Sequence, residues 1–593
     1  LNIRLEKMNR ILIQFIVVVV MLSGCKKFTD PAPQNNGDFE NIYTEPALAH
    51  GLLLNGYTRL PSNGWSFNDV ATDDAVSNDI NNNFRRIATG QWSAQFNPLD
   101  QWTNARAGIQ YINLFLAETD KVLWDSKDPV LSRMFNDRQK GEAYALRAYL
   151  MSYMLQAHAG KVGGNLYGFP IVLEPETPAS NFNQPRATFD ACIKQIYGDL
   201  DKAEQLLPLD YADINSTSQI PAKYAGVNVE TYNRVFGKFF NQRMTGRISK
   251  AIRARVALMG ASPAFSTGNS TTWADAASYA AQVLSLNNWL ANLDPNGVTW
   301  YDNKAEIDAL ASGASPKEVL WRTNVGSNSD LEAANYPPTL SGQGRINPTQ
   351  NLVNAFPMQN GYPIANTPQS GYNPAAPFTG RDPRLAKFIV YNGNTIGPTN
   401  KAINTTTDVA TNDDGLNRKE VSTRTGYYMK KLLRQDVSRT PTVNNQKHYR
   451  PHIRYTEMFL IYAEAANEAW GPTANGGNPY SAYDIIKAIR ARAGVGTTNG
   501  DAYLESIKTD KDAMRTLIRN ERRLELAFEG FRFWDLRRWN AALTEPVKGV
   551  SISQGTYQEI NVEARSYQEY MRFGPIPYSE TLKYNALQQN TGW

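Results

Sequence analysis

Cysteine is nearly absent from this chain: Cys25 and Cys192 are the only two in 593 residues, which excludes a disulfide-stapled fold. Stability must therefore come from packing. Cys192 lies in the helical pattern TFDACIKQIYGDL, where a buried position is expected. Clustered charge is also missing. The net charge of +5 is spread along the chain and gives no reason to expect a nucleic-acid partner. The apolar run near the N-terminus, Ile11 to Leu22, has twelve residues and falls short of the ~20 that a membrane-spanning helix needs.

Catalytic and metal signatures are equally scarce. There is no G-x-S-x-G elbow. Gly342 and Gly344 echo a phosphate loop, but Ser341 to Ile346 does not join a strand to a helix. His448 and His452 are four apart with Pro451 between them and no HExxH, which argues against zinc. Asp69 to Asn83 (DVATDDAVSNDINNN) and Asn412 to Gly415 lack the spacing of a calcium loop, and the first is expected to be a solvated loop. No metal and no cofactor is called for. A glycosidase pair of carboxylates cannot be read from spacing among 56 acidic residues.

What is present is enough for a large core, with 42% hydrophobic and 11% aromatic residues. Residues 1–24 read as a lipoprotein signal peptide: Arg10, the apolar run, then Leu22-Ser23-Gly24-Cys25, which resembles a bacterial lipobox. Cys25 is then the lipidated residue, and residues 25–44 form a tether. Acyl chains, at about 0.8 kcal/mol per buried methylene, would hold the protein on a membrane without spanning it.

Helical periodicity recurs in residues 45–60, 102–124, 131–159, 188–207, 248–265 and 272–286, then again in 453–470, 480–493 and 512–528. Small residues punctuate the apolar faces, as at Gly141, Ala143, Ala145 and Ala148, so helices can approach closely. The pattern predicts a mainly α, tetratricopeptide-like scaffold of helical pairs with degenerate repeats. Residues 45–290 would form the scaffold, with an aromatic loop patch at 62–100. Residues 291–451, rich in Pro, Gly, Asn and aromatics, would form an irregular lobe with short strands at 318–323 and 385–391. Residues 452–593 would return to the scaffold.

Charge and aromatic density peak in Leu517 to Trp539, LIRNERRLELAFEGFRFWDLRRW. Leu517, Leu524, Phe528 and Phe531 share a helical stripe, and Arg522–Glu525, Glu529–Arg532 and Asp535 with Arg532 and Arg538 are spaced to pair within one helix. Carboxylates neutralise the arginines, so the stretch reads as an intramolecular clamp in preference to an anion site, with guanidinium groups stacked on rings.

Several segments together resemble the SusD/RagB family of outer-membrane nutrient-binding lipoproteins: the lipobox with KKFTDPAP, GEAYALRAYLMSYMLQAHAG leading to YGFPIVLEPET, RYTEMFLIYAEAANEA, IIKAIRARAGV, ERRLELAFEGFRFWDLRRW and FGPIPYSETLKYNALQQNTGW. The resemblance runs the length of the chain. It implies a helical scaffold whose loop-rich lobe carries the ligand site, and a non-catalytic role in capturing glycans or, in some members, peptides. It also implies delivery to a TonB-dependent outer-membrane transporter, at the exterior face of the outer membrane. One departure is that Lys26 and Lys27 follow Cys25, where surface-exported relatives often carry acidic residues. The family's ligand contacts lie outside its shared motifs, so candidate site residues rest on residue type alone. Sugar C–H faces pack on aromatic planes while hydroxyls need amide or carboxylate partners, at about 0.5–1.5 kcal/mol per aromatic contact. The candidates are Trp65, Asn68, Trp92, Phe96, Asn97, Trp300, Tyr301, Asp302, Asn303 and Trp321; Trp102, Trp124, Trp273, Trp534 and Trp539 fall in helical patterns and belong to the core.

Overall fold

A computed structural model describes residues 39–311 and 313–593. The signal peptide, the lipobox with Cys25 and most of the tether lie outside the described residues.

Helix α1 (Pro46–Thr58) packs on α2 (Trp102–Glu118), which packs on α3 (Pro129–His158), and α3 on α4 (Phe189–Leu206). Helix α5 (Gly246–Ala261) continues the series to α6 (Trp273–Leu286). The lobe intervenes, after which α7 (Tyr455–Trp470) packs directly against α6 and is followed by α8 (Ala482–Ala493) and α9 (Lys511–Glu525). The result is a mainly α, tetratricopeptide-like scaffold of helical pairs. Local chemistry sets the starts: Asp128 caps α3 with Pro129 in its first turn, and Thr272 and Ser481 each form a capping box with an aspartate. Close approach follows from the small residues. A Cβ on Gly141 would sit 2.6 Å from Leu207, and Ala276, Ala277 and Ala280 of α6 face a chain of fully buried alanines in α7. Cys192 is buried in this core.

The lobe holds a second core and short strands only. Strand β1 (Ala75–Ser77) pairs antiparallel with β3 (Ile346–Pro348), and β2 (Val319–Arg322) with β4 (Pro451–Arg454), so the lobe is stitched to residues before and after it. A hairpin, β5 (Val547–Ser553) with β6 (Thr556–Glu563), follows the last helices. The strand expected at 385–391 is mostly a short helix, Pro383–Phe388, because the Asp382 side chain accepts from the Arg384 N–H at 2.8 Å and Pro383 fits the first turn; only Ile389 and Val390 extend.

Helix α9 ends at Glu525. The chain turns through left-handed Phe528 (φ 64°) and Gly530 (φ 85°), then resumes as α10 (Arg532–Arg538). This turn corrects the pairing read from the sequence. Of the pairs expected within one helix, only Asp535–Arg538 forms, at 2.7 Å. The others reach across the molecule: Arg522 to Asp535, Arg532 to Asp73, Glu529 to Arg454 and Lys431, and Glu525 to Arg384 and Arg492. Residues 69–77 are likewise buried, contrary to the solvated loop expected there, since Asp73 and Asp74 are held by Arg523 and Asp73 also by Arg532. Burial works to raise the Asp73 pKa, but the two arginines outweigh it and hold the carboxyl well below its usual range.

Candidate functional site

The α9–α10 turn closes one side of a cleft of about 200 Å³. Its other walls are the loop from Pro61 to Asn68, the start of α2 at Gln101, one face of α3 (Ser152, Tyr153, Gln156), α5 at Arg255 and Met259, and the stretch from Arg450 to Arg454. Trp65, Tyr153, Phe531 and Trp534 are half-buried on its walls, a set of aromatic surfaces facing one space. Trp65 stacks on Phe67 at 6.0 Å, and the Arg450 guanidinium lies 5.2 Å from the Trp65 ring centre.

A buried polar chain lies beneath the floor and reaches the cleft at His452 and Tyr153. The Ser62 hydroxyl lies 2.5 Å from His452 Nδ1 and 2.8 Å from the Tyr149 hydroxyl, which donates to Tyr153 at 3.2 Å. Burial, reinforced by Arg450 and Arg255, pushes His452 well below its usual pKa, so this chain of groups is neutral. Asn68 is 2% exposed, its side chain makes no hydrogen bond among the described residues, and its Oδ1 is buried without a partner. Such an acceptor costs about 1–3 kcal/mol unless something donates to it.

The carboxylates of the cleft are committed to arginines. Arg255 holds Glu457 at 2.6 Å, Arg454 holds Glu529 at 2.8 Å, and Asp535 sits between Arg522 and Arg538 at 2.8 and 2.7 Å. Although burial works to raise Glu529 and Asp535, their cationic partners keep both below the usual range. A glycosidase acid must be protonated near neutral pH, so neither can serve as one. No group of three His, Cys, Asp or Glu side chains is placed to hold a metal among the described residues.

The candidates read from the sequence divide sharply. Trp65 and Asn68 line the cleft. Trp92 does not. It is 4% exposed, packs edge-on to Phe533 at 5.7 Å and Trp593 at 4.8 Å, and donates to Asn97 Oδ1 at 3.0 Å. Phe96 is covered by Arg86, 4.0 Å from its ring centre. Trp300 (1% exposed) and Tyr301 (7%) belong to the lobe core, where Trp300 packs on Tyr449 at 5.6 Å. Asp302 Oδ1 accepts from the Gln435 N–H at 2.8 Å, and burial pushes its carboxyl up to about 6. Asn303 donates to Glu306 at 2.9 Å. Trp321 lies behind the cleft floor, 4.1 Å from His452, with its indole N–H given to the Gln242 carbonyl. Trp92, Trp300, Tyr301 and Trp321 are buried and offer no face to a ligand, whereas Phe96 is half-buried but lies outside the cleft. Their loops looked exposed by composition, but each has a hydrophobic partner far away in sequence. In the other direction, Trp534 was assigned to the core by its helical spacing and instead forms part of the cleft wall, together with Tyr153 and Phe531. The sequence carries one signal for this wall: Ser152, Tyr153 and Gln156 put a polar stripe on the otherwise apolar last turns of α3, Ala148 to Ala157.

Comparison with known proteins follows the same outline. A family profile described as the SusD family matches residues 313–593, and one described as starch-binding associating with outer membrane matches residues 41–228. The SusD-like protein P38 of Formosa agariphila is 35% identical over 102 residues, which is 17% of this chain and 19% of that protein. The matched stretches span about a fifth to a quarter of the length of the curated relatives. A SusD-like protein from Bacteroides fragilis superposes with a TM-score of 0.69 at 21% identity, covering 94% of this chain and 99% of that one. A SusD-like carbohydrate binding protein from the same species gives 0.64 at 21% identity, with 92% and 99% covered. At these identities the structural likeness is one of fold.

Proposed function

The chain belongs to the SusD/RagB family, and on that basis we propose that it is a non-catalytic glycan-binding protein that captures oligosaccharides in the cleft beside Trp65. The observation that carries the reading is the pairing of aromatic faces on Trp65, Tyr153, Phe531 and Trp534 with the orphaned acceptor of Asn68. Rings for sugar C–H faces and an unsatisfied group for a hydroxyl are what a saccharide requires. The names attached to the relatives, starch-binding for one family profile and carbohydrate binding for one solved structure, support the same ligand class.

The remaining parts of the proposal are the lipid anchor on Cys25, attachment to the outer membrane facing the exterior, and delivery to a TonB-dependent transporter. They rest on the lipobox and on the family resemblance. No helix among the described residues is long and apolar enough to cross a membrane.

Two or three ring contacts, after the costs of ordering, correspond to binding near the millimolar level, or about 4 kcal/mol. The test is affinity electrophoresis of the Cys25→Ala chain through gels containing a panel of polysaccharides. At least one is expected to retard the protein, and Trp65→Ala is expected to lose that retardation with little change in melting temperature. Unaltered retardation of Trp65→Ala would move the site elsewhere. No retardation by any polysaccharide, with peptide binding seen by calorimetry, would replace the glycan reading with a peptide one.

A further inference from the structure

The cleft is more cationic than its ion pairs require. Seven arginines line it against three carboxylates. Five of them have a carboxylate of their own, that of Arg572 being the exposed Glu569, but Arg450 and Arg537 have none among the described residues. Arg537 is satisfied differently. It is buried between rings, with its guanidinium centre 3.4 Å from the Phe533 ring centre, and it donates to the carbonyls of Phe533 and Met571, leaving Nη2 unpartnered. Arg522 is 3% exposed, gives its Nε to Asp535, and leaves Nη1 unpartnered.

Arg450 is the open one. Its guanidinium makes one hydrogen bond, from Nη1 to the Ser62 carbonyl, and its Nε is buried with no partner. Its guanidinium centre lies 5.2 Å from the Trp65 ring centre, beside the aromatic wall of the cleft. The nearby carboxylates are already occupied: Glu457 by Arg255, Glu529 by Arg454 and Lys431, and Asp535 by Arg522 and Arg538. A partly desolvated guanidinium with free donors and no counter-ion favours an anion that can accept two parallel hydrogen bonds.

We infer that the glycan captured beside Trp65 is acidic, carrying carboxylate or sulfate groups, and that Arg450 receives the anionic group while Trp65 holds the ring. This rests on the glycan reading of the same cleft and adds the charge of the ligand. A uronate and a sulfate ester share the chemistry of a planar or tetrahedral oxyanion on a sugar ring, and the experiment separates them.

The probes are matched pairs: polygalacturonate against methyl-esterified polygalacturonate, and dextran sulfate against dextran, each cast into native gels with the Cys25→Ala chain. At least one charged polymer is expected to retard the protein while its neutral counterpart does not, and raising the salt should weaken the effect. The retarding member identifies carboxylate or sulfate. Arg450→Gln should weaken binding to it by about tenfold or more, equivalent to about 1.4 kcal/mol, and Arg450→Lys should recover part of the loss. Thermal melts of both variants separate lost binding from lost folding. Retardation by neutral polymers only, or by charged and neutral members alike with Arg450→Gln unchanged, overturns the inference and leaves the glycan reading in place. Retardation by none of the polymers overturns both.

Discussion

Asp69 shows how a single carboxyl can be placed against its own chemistry. It is fully buried, its Oδ1 accepts from the left-handed Phe528 N–H at 3.2 Å, and its Oδ2 has no partner. Burial, with the charge of Asp74 beside it, pushes its pKa up to about 7. The folded state therefore binds a proton that the unfolded chain, with a pKa of about 3.9, releases. Stability from this group is present in full below about pH 4 and is lost as pH rises through about 7, where the protein must ionise a buried acid. Asp69→Asn keeps the acceptor and removes the titration. Its advantage over the wild type in urea unfolding is expected to grow by about 2–3 kcal/mol between pH 5 and pH 8, from about 1.4 kcal/mol per pH unit. An advantage independent of pH would show that Asp69 does not titrate there. Nothing in the local sequence DVATDD distinguishes Asp69, which faces a backbone N–H, from Asp73, which faces two arginines, because the partners lie 450 or more positions away.

At the scale of elements, the α9–α10 clasp is held by buried charge. Asp535 is 3% exposed and accepts from Arg522 at 2.8 Å and Arg538 at 2.7 Å, and Arg538 continues to Glu464 of α7 at 2.6 Å. Replacing one member of such a network leaves buried cations without a counter-ion, at a cost of about 3–5 kcal/mol. Asp535→Asn preserves shape and should lower the unfolding free energy by that amount, read as a lower urea midpoint with an unchanged slope. Intact stability with lost ligand binding would reassign Asp535 from the clasp to the cleft. Helices were the legible part of this sequence, because periodicity and capping are local: the nine helical segments expected are present, with ends moved by a few residues. The clasp was legible in kind but not in wiring. Arginine beside phenylalanine and tryptophan did mean stacked guanidinium groups, as with Arg537 on Phe533 and Arg519 on Trp539. Three-residue spacing, however, presumes one continuous helix, and the turn at Phe528 breaks it. Of the candidate site, Trp65 and Asn68 could be found by composition, whereas Arg450 and Trp534 could not. Their role depends on which loop folds over them.

For the whole molecule, the question is whether the scaffold and the irregular lobe are separate folding units. The seam between them is built from charges that neither side can satisfy alone. Arg384 of the lobe is fully buried and binds Asp382 at 2.7 Å, Glu521 at 2.8 Å and Glu525 at 2.9 Å, the last two from α9. Arg490 of α8 binds Glu521 and Asp501 and donates to the Gly361 carbonyl of the lobe at 2.9 Å. Lys431 of the lobe gives its ammonium to Glu529 and to the carbonyls of Glu525 and Ala527. Separating the two parts would strand these carboxylates and cations, each at several kcal/mol in an interior with no replacement partner. Scaffold and lobe should therefore unfold together, although the chain is long enough for two domains. Far-ultraviolet circular dichroism, which reports the helices, and tryptophan fluorescence, to which Trp300 in the lobe core contributes, are expected to give coincident urea transitions. Arg384→Gln leaves Glu521 with Arg490 and Glu525 with Arg492 but strips Asp382 of its cation, and should lower the unfolding free energy by about 3–5 kcal/mol, moving both transitions to the same lower midpoint. Two resolved transitions in the wild type would mean that the seam is a docked interface and not part of one core.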